Sequence, residues 1–216
     1  TMASIKDMPK SAPEALYEIG KSDIKNRAAL YQALMDDPRI NKKAIEILFH
    51  LGYFNKFAQP NRLITEYEIY QKYISVKVLT KSSFDDIMID VIRPCCGKET
   101  EKQFREIDNR ALITALIKQT NIKTTTIVDR IKWQLEYLGY CTVSDPNSDP
   151  NDWLVLDVKT TGYGTVYCTL YNLGYGAERT YRANKKFWTN HQLSKGDAAR
   201  VVLQEKNKMK KDEDRK

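Results

Sequence analysis

NKKAIEILFHLGYFNKF (Asn41–Phe57) is the stretch on which the reading of this chain turns. Two lysines open it, and Ile45, Leu48 and Phe49 recur at helical spacing. Gly52 stands where a glycine closes a helix in a left-handed turn. The pattern predicts a short helix and an aromatic turn, hence a small helical hairpin with cationic side chains at its N-terminus. Such a hairpin can hold phosphate through backbone N–H groups and point charges. Nucleic acid is the first class of partner this implies.

Helical patterns flank the stretch on both sides. Ala12-Pro13-Glu14 starts a helix that ends near Gly20. Ser22 or Asp23 can cap the next, which runs through Ile24, Ala28, Leu30 and Leu34 to a stop at Pro38. Pro60-Asn61 leads into a long segment carrying Leu63, Ile64, Tyr67, Ile69, Tyr70 and Tyr73. Leu79–Ile92, with FDDIMIDVI, reads as a further helix, and Thr100–Gln119 holds one or two more, with Asp108 as a cap before ALITALI. Thr124–Thr126 open the last, in which Ile127, Ile131, Leu135 and Leu138 keep a 3–4 spacing up to Gly139. Residues 5–143 are thus expected to be an all-α region, with a helix-hairpin-helix-like segment at about 22–58.

Beyond Gly139 the pattern changes. SDPNSDPND (Ser144–Asp152) has two prolines and no apolar residue, which makes 144–152 the expected linker. The period then becomes two. WLVLDVKT, TVYCTLYNL, RTYRANKKFW and ARVVLQE read as strands, with turns at Gly162–Gly164, Gly174–Gly176 and Ser194–Asp197. Four or five short antiparallel strands over residues 153–206 point to a small, partly open β-barrel of OB type. The fold class expected is therefore α+β in two domains, with residues 207–216 as a basic, disordered tail.

Charge divides unevenly along the 216 residues, whose net charge is +7. Residues 1–150 carry 22 basic and 20 acidic side chains, residues 151–216 carry 13 and 8. The excess in the C-terminal module favours a polyanionic partner there, with Lys206, Lys208, Lys210 and Lys211 supplying much of it. No apolar run is long enough to cross a bilayer and no secretory pattern opens the chain, so no membrane partner and a cytoplasmic location are expected. Thr1–Ser4 reads as the remnant of a tag around a start methionine. Cys95-Cys96 are adjacent and Cys141 and Cys168 lie far apart, so zinc-type spacing is missing and reduced thiols are expected. His50 and His191 lack a triad context; the first is expected to pack or hydrogen-bond at a helix end, the second to sit in a loop. With no P-loop, nucleophile elbow or metal-ligand helix, neither cofactor nor metal is expected.

In this order the residues resemble the C-terminal region of the bacterial DNA polymerase III alpha subunit family. Asn41, Lys43, Glu46, Leu48, Gly52, Phe54 and Phe57 occupy places matching that family's hairpin segment, although Tyr53 and Asn55 replace its usual Ala and Asp. WQLEYLGY (Trp133–Tyr140) is similar to the segment preceding the family's barrel. CTLYNL, ERTYRANKKFW and LSKGDAARVV are similar to barrel strands of gut-Firmicute and phage versions. The resemblance spans most of Ala15–Lys211, with residues 75–110 matching poorly. It implies a region that grips duplex DNA next to a barrel lying near single-stranded template. It also implies replisome partners such as the sliding clamp, but QKYISV (Gln71–Val76) and KQFREI (Lys102–Ile107) fit the family's clamp-binding peptide poorly and no clamp site is assigned.

Catalysis is not implied. Polymerases of this family need paired palm aspartates holding two Mg²⁺ ions about 4 Å apart. Asp85-Asp86, with Asp90 nearby, is the one acidic pair in an apolar setting, and it reads as a solvated helix face. The chain is accordingly expected to be a non-catalytic DNA-binding part of a replicative polymerase. The alternatives are a free-standing phage or mobile-element DNA-binding protein and a replisome interaction module. Candidate phosphate contacts of the hairpin are Lys42, Lys43, Lys56 and Arg62. In the barrel, Tyr167 and Tyr171 share one strand face, with Arg179, Arg182, Lys185 and Lys186 close by in sequence. Aromatic rings rimmed by cations are what single strands require; the same tyrosines, with Trp153 and Trp188, also describe a barrel wall.

Overall fold

The computed structural model describes residues 4–183 and 192–201, and the chain divides into two compact units, Thr1–Tyr140 and Cys141–Lys216. The first contains helices α1 (Ala12–Lys21), α2 (Arg27–Asp36), α3 (Lys42–His50) and α4 (Pro60–Tyr73). They are followed by β1 (Val78–Thr80), α5 (Asp86–Ile92), β2 (Cys96–Glu99), β3 (Gln103–Ile107), α6 (Asn109–Gln119) and α7 (Ile127–Leu138).

Local chemistry sets most of the helix ends. The Asn41 side chain accepts from the N–H of Ala44 and starts α3. At the other end the N–H of Tyr53 bonds to the carbonyl of Leu48 and that of Gly52 to Phe49, a double closure that needs a left-handed residue. Gly52 supplies it at φ +77°, and a Cβ there would lie 2.5 Å from Asn55 Nδ2. Asp108 caps α6, and Thr126 with Asp129 forms a reciprocal capping box on α7, which Gly139 ends in the left-handed region. The cap of α2 is Asn26, not Ser22 or Asp23, because Asn26 holds the N–H of Ala29.

The expectation of an all-α region is corrected by a three-stranded antiparallel sheet, ordered β1-β3-β2. Leu79 pairs with Phe104, and these are the buried residues of β1 and β3. Strands of three to five residues, with at most one buried side chain each, carry too few positions for a period of two to register. KQFREI is thus largely strand, and the predicted helix over Leu79–Ile92 reduces to α5 behind β1 and a short 3₁₀ turn. Around Tyr31 the core of this unit becomes aromatic: Phe49, Tyr67 and Tyr70 lie with ring centroids 6.5, 5.8 and 5.6 Å away.

The second unit is one four-stranded antiparallel sheet, ordered β6-β5-β4-β7, from β4 (Asp152–Thr160), β5 (Val166–Asn172), β6 (Glu178–Ala183) and β7 (Ala198–Arg200). Among the described residues it does not close into a barrel, which corrects that expectation to an open sheet. One face buries Trp153, Val155, Val166, Cys168 and Leu170, as the alternation in β5 predicts. Residues 144–152 are not a free linker. The N–H of Asp145 donates to Leu173 O at 2.8 Å, and Asn172 Nδ2 donates to Pro150 O at 2.7 Å, so the segment is bonded to the end of β5.

Candidate nucleic-acid interface

In the helical unit the four predicted cations do not form one group. Lys42 and Lys43 stand at the start of α3, and eight residues of helix, about 12 Å, carry the chain from there to the turn that holds Lys56. Lys43 is already engaged: its Nζ lies 2.8 Å from the Asp7 carboxylate, and that bond holds the Asp7 carboxyl below its usual range. The start of α4 is closed as well. Asn61 N–H donates to Thr125 Oγ1 at 3.0 Å, and Gln59 brackets Lys123 and Thr125, so backbone donors there are spent within the protein.

A different cluster replaces the predicted one. Glu66 is 1% exposed and occupies the centre. Arg27 Nε donates to one carboxylate oxygen at 2.6 Å, together with the Tyr31 hydroxyl at 3.1 Å, while Arg62 Nε donates to the other at 2.8 Å. Both guanidinium groups are anchored through Nε and remain 40% and 48% exposed, which leaves Nη donors facing water. Burial and the neighbouring carboxylate push the Tyr31 hydroxyl far above its ordinary value, so it stays a donor. Lys25, Arg27, Lys56 and Glu66 line one open cleft of about 590 Å³, where Lys25 keeps a longer, fully solvated pair with Asp23 at 3.3 Å. The structure therefore groups Lys56 and Arg62 with Lys25 and Arg27, which sequence reading missed. Arg62 and Glu66 are four apart and were legible as a helical pair; Arg27, 39 residues from Glu66, was not.

In the sheet unit Tyr167 lies opposite Lys159 on β4 and Arg182 on β6, so the register places an aromatic ring between two cations on one face, Lys159 being in an exposed pair with Asp157 at 3.0 Å. Tyr167 is 39% exposed. Tyr171 shares that face but is 2% exposed, and its hydroxyl donates to Val143 O at 2.7 Å. It is core, which corrects its assignment as a stacking platform: Val143, with Ser144 beside Gly176, closes the end of the face that strand periodicity alone leaves open. Arg179 pairs with Leu170 and thus belongs to the opposite face from Arg182. Lys185, Lys186, Trp188, His191 and the basic tail lie outside the described residues.

His50 stacks on Trp133 at 4.1 Å and on Tyr137 at 5.9 Å, joining α3 to α7, and burial lowers its pKa. Asp85 caps α5 through the N–H of Met88, a structural use of half the acidic pair.

These features define a class: an α+β chain with seven helices and two antiparallel sheets among its described residues, exposing a cation cluster on its helical unit and an aromatic–cation row on its sheet. Compared with family models, curated proteins and solved structures, the chain has no match in any of the three.

Proposed function

We propose that this chain is a non-catalytic DNA-binding module, in keeping with its resemblance to the C-terminal region of a replicative polymerase alpha subunit. The helical unit holds duplex backbone through Lys25, Arg27, Lys56 and Arg62. The sheet unit holds single-stranded template over Tyr167, between Lys159 and Arg182. The observation that carries the reading is the Glu66 network. A buried carboxylate that fixes two half-exposed arginines by Nε alone presents their remaining donors in a set geometry, and bidentate guanidinium donors match phosphate oxygens.

Fluorescence anisotropy with duplex and single-stranded oligonucleotides tests it. About four phosphate contacts predict a loss of affinity for duplex of about a hundredfold between about 50 and 200 mM salt. Absence of binding at low salt, or binding that ignores salt, overturns the proposal.

A further inference from the structure

At one end of the sheet, on the face opposite Tyr167, there is a cleft of about 390 Å³. It is lined by the buried residues Trp153 and Asn172 and by the exposed residues Asn151, Tyr175 and Arg179, with Val201. We propose that this cleft is a nucleotide site, taking one unstacked nucleobase of a single strand with its phosphate. The inference rests on the DNA-binding reading and gives it a specific pocket.

The case begins with Tyr175. Its side chain is 72% exposed in the β5–β6 turn, so packing does not explain an aromatic residue there. Its backbone is nevertheless fixed: the N–H of Tyr175 donates to Asn172 Oδ1 at 2.7 Å, while Asn172 Nδ2 holds Pro150 O. Asn172 is itself 1% exposed, so one buried amide ties together both walls of the cleft. An exposed ring whose backbone is fixed at the rim of a cleft that Trp153 also lines is a surface for a flat π-system, and every base offers one.

Charge completes the match. The carboxylates beside the cleft are neutralised, since Arg200 lies 2.8 Å from Asp149 and 3.4 Å from Asp152. Arg179 makes no ion pair among the described residues and is the uncompensated charge lining the cleft. The Asn151 backbone is bonded to Asp149 and Val201, whereas its exposed side-chain amide offers a donor and an acceptor, the pair that a base edge requires. Aromatic face, amide and free guanidinium correspond to base, base edge and phosphate.

Oligo(dT) of about ten nucleotides is the probe, with an abasic oligomer of equal length as its partner, both at low salt. Tyr175→Ala is expected to weaken oligo(dT) binding about tenfold, and Tyr175→Phe to restore it. Tyr163→Ala, at a fully exposed turn tyrosine away from the cleft, is expected to leave binding unchanged. The abasic oligomer is expected to bind more weakly than oligo(dT) to the wild type and equally to wild type and Tyr175→Ala. If wild-type protein binds oligo(dT) and Tyr175→Ala binds it as well, or if the abasic oligomer binds as tightly as oligo(dT), the nucleotide site is overturned and the DNA reading stands. If the wild type binds no oligonucleotide, both fall.

Discussion

The two units place their cations by different means. In the helical unit a single buried acid, Glu66, gathers arginines from α2 and α4 that are 35 positions apart in the chain. Among the described residues of the sheet unit no acid gathers them, since Asp157 pairs with Lys159 from its own strand; Lys159, Tyr167 and Arg182 align because antiparallel register sets them side by side. The first arrangement is a tertiary device and breaks when one residue is changed. The second is built into backbone pairing and survives loss of any one side chain. Fold stability and DNA contact should therefore be coupled in the helical unit and separable in the sheet.

Tyr171 tests that separation most forcefully. Tyr171→Ala removes a buried ring and its bond to Val143, which costs about 3–5 kcal/mol. Urea unfolding should show the loss, whereas the fraction that stays folded should bind single strands with wild-type affinity. A weaker affinity at unchanged stability would make Tyr171 a contact after all and would remove the contrast between it and Tyr167.

Glu66→Gln probes the opposite coupling. It keeps the shape but leaves one oxygen to accept, so the donors on one side keep a weaker bond while those on the other face an amide NH2, a cost of about 3 kcal/mol in the helical unit. Because Arg27 and Arg62 lose their common anchor, duplex affinity should fall in the same variant even though a negative charge has been removed. Tighter duplex binding would mean that Glu66 merely repels phosphate and does not orient the arginines.

A smaller effect comes from His50. Burial lowers its folded pKa below the ordinary 6.5, so as pH falls from about 6.5 the unfolded chain takes up the proton first and stability declines. Above about pH 7 the ring is neutral in both states and the effect vanishes. Urea unfolding at about pH 7.5 and 5.5 should show this loss, and His50→Phe, which keeps an aromatic ring against Trp133, should reduce it. An unchanged pH dependence in His50→Phe would remove the α3–α7 contact from the acid response of this unit.

Legibility in the sequence follows the range of the interactions. The end of α3, the start of α6 and both ends of α7 were readable because Gly52, Asp108, Thr126 and Gly139 act on backbone groups within a few residues. Strand alternation in β5 correctly separated Val166, Cys168 and Leu170 from Tyr167 and Tyr171. What alternation cannot encode is which distant segment lies over a face, and that hid the burial of Tyr171. The same limit hid Arg27, whose partner arrives from another helix, and the sheet of β1, β2 and β3, whose strands are too short to state a period. Tyr175 was visible only as a residue of a glycine turn. Its importance comes from Trp153 and Arg179, which other strands bring beside it.

The finest test separates two lysines that sequence reading had put in one grip. Lys42 begins α3, whereas Lys56 follows its end and joins Lys25 and Arg27 on the cleft. Each charge-removing variant deletes the same formal charge from an exposed position, so a general attraction between protein and duplex would respond equally to both. A localised contact would not. Lys56→Ala should lower the number of released counterions by about one, read as a shallower slope of log affinity against log salt, while Lys42→Ala leaves the slope at its wild-type value. Equal slopes in the two variants would return Lys42 to the interface and make the helical unit a diffuse basic surface. Unequal slopes would fix the duplex at the end of α3 where the Glu66 network holds its arginines.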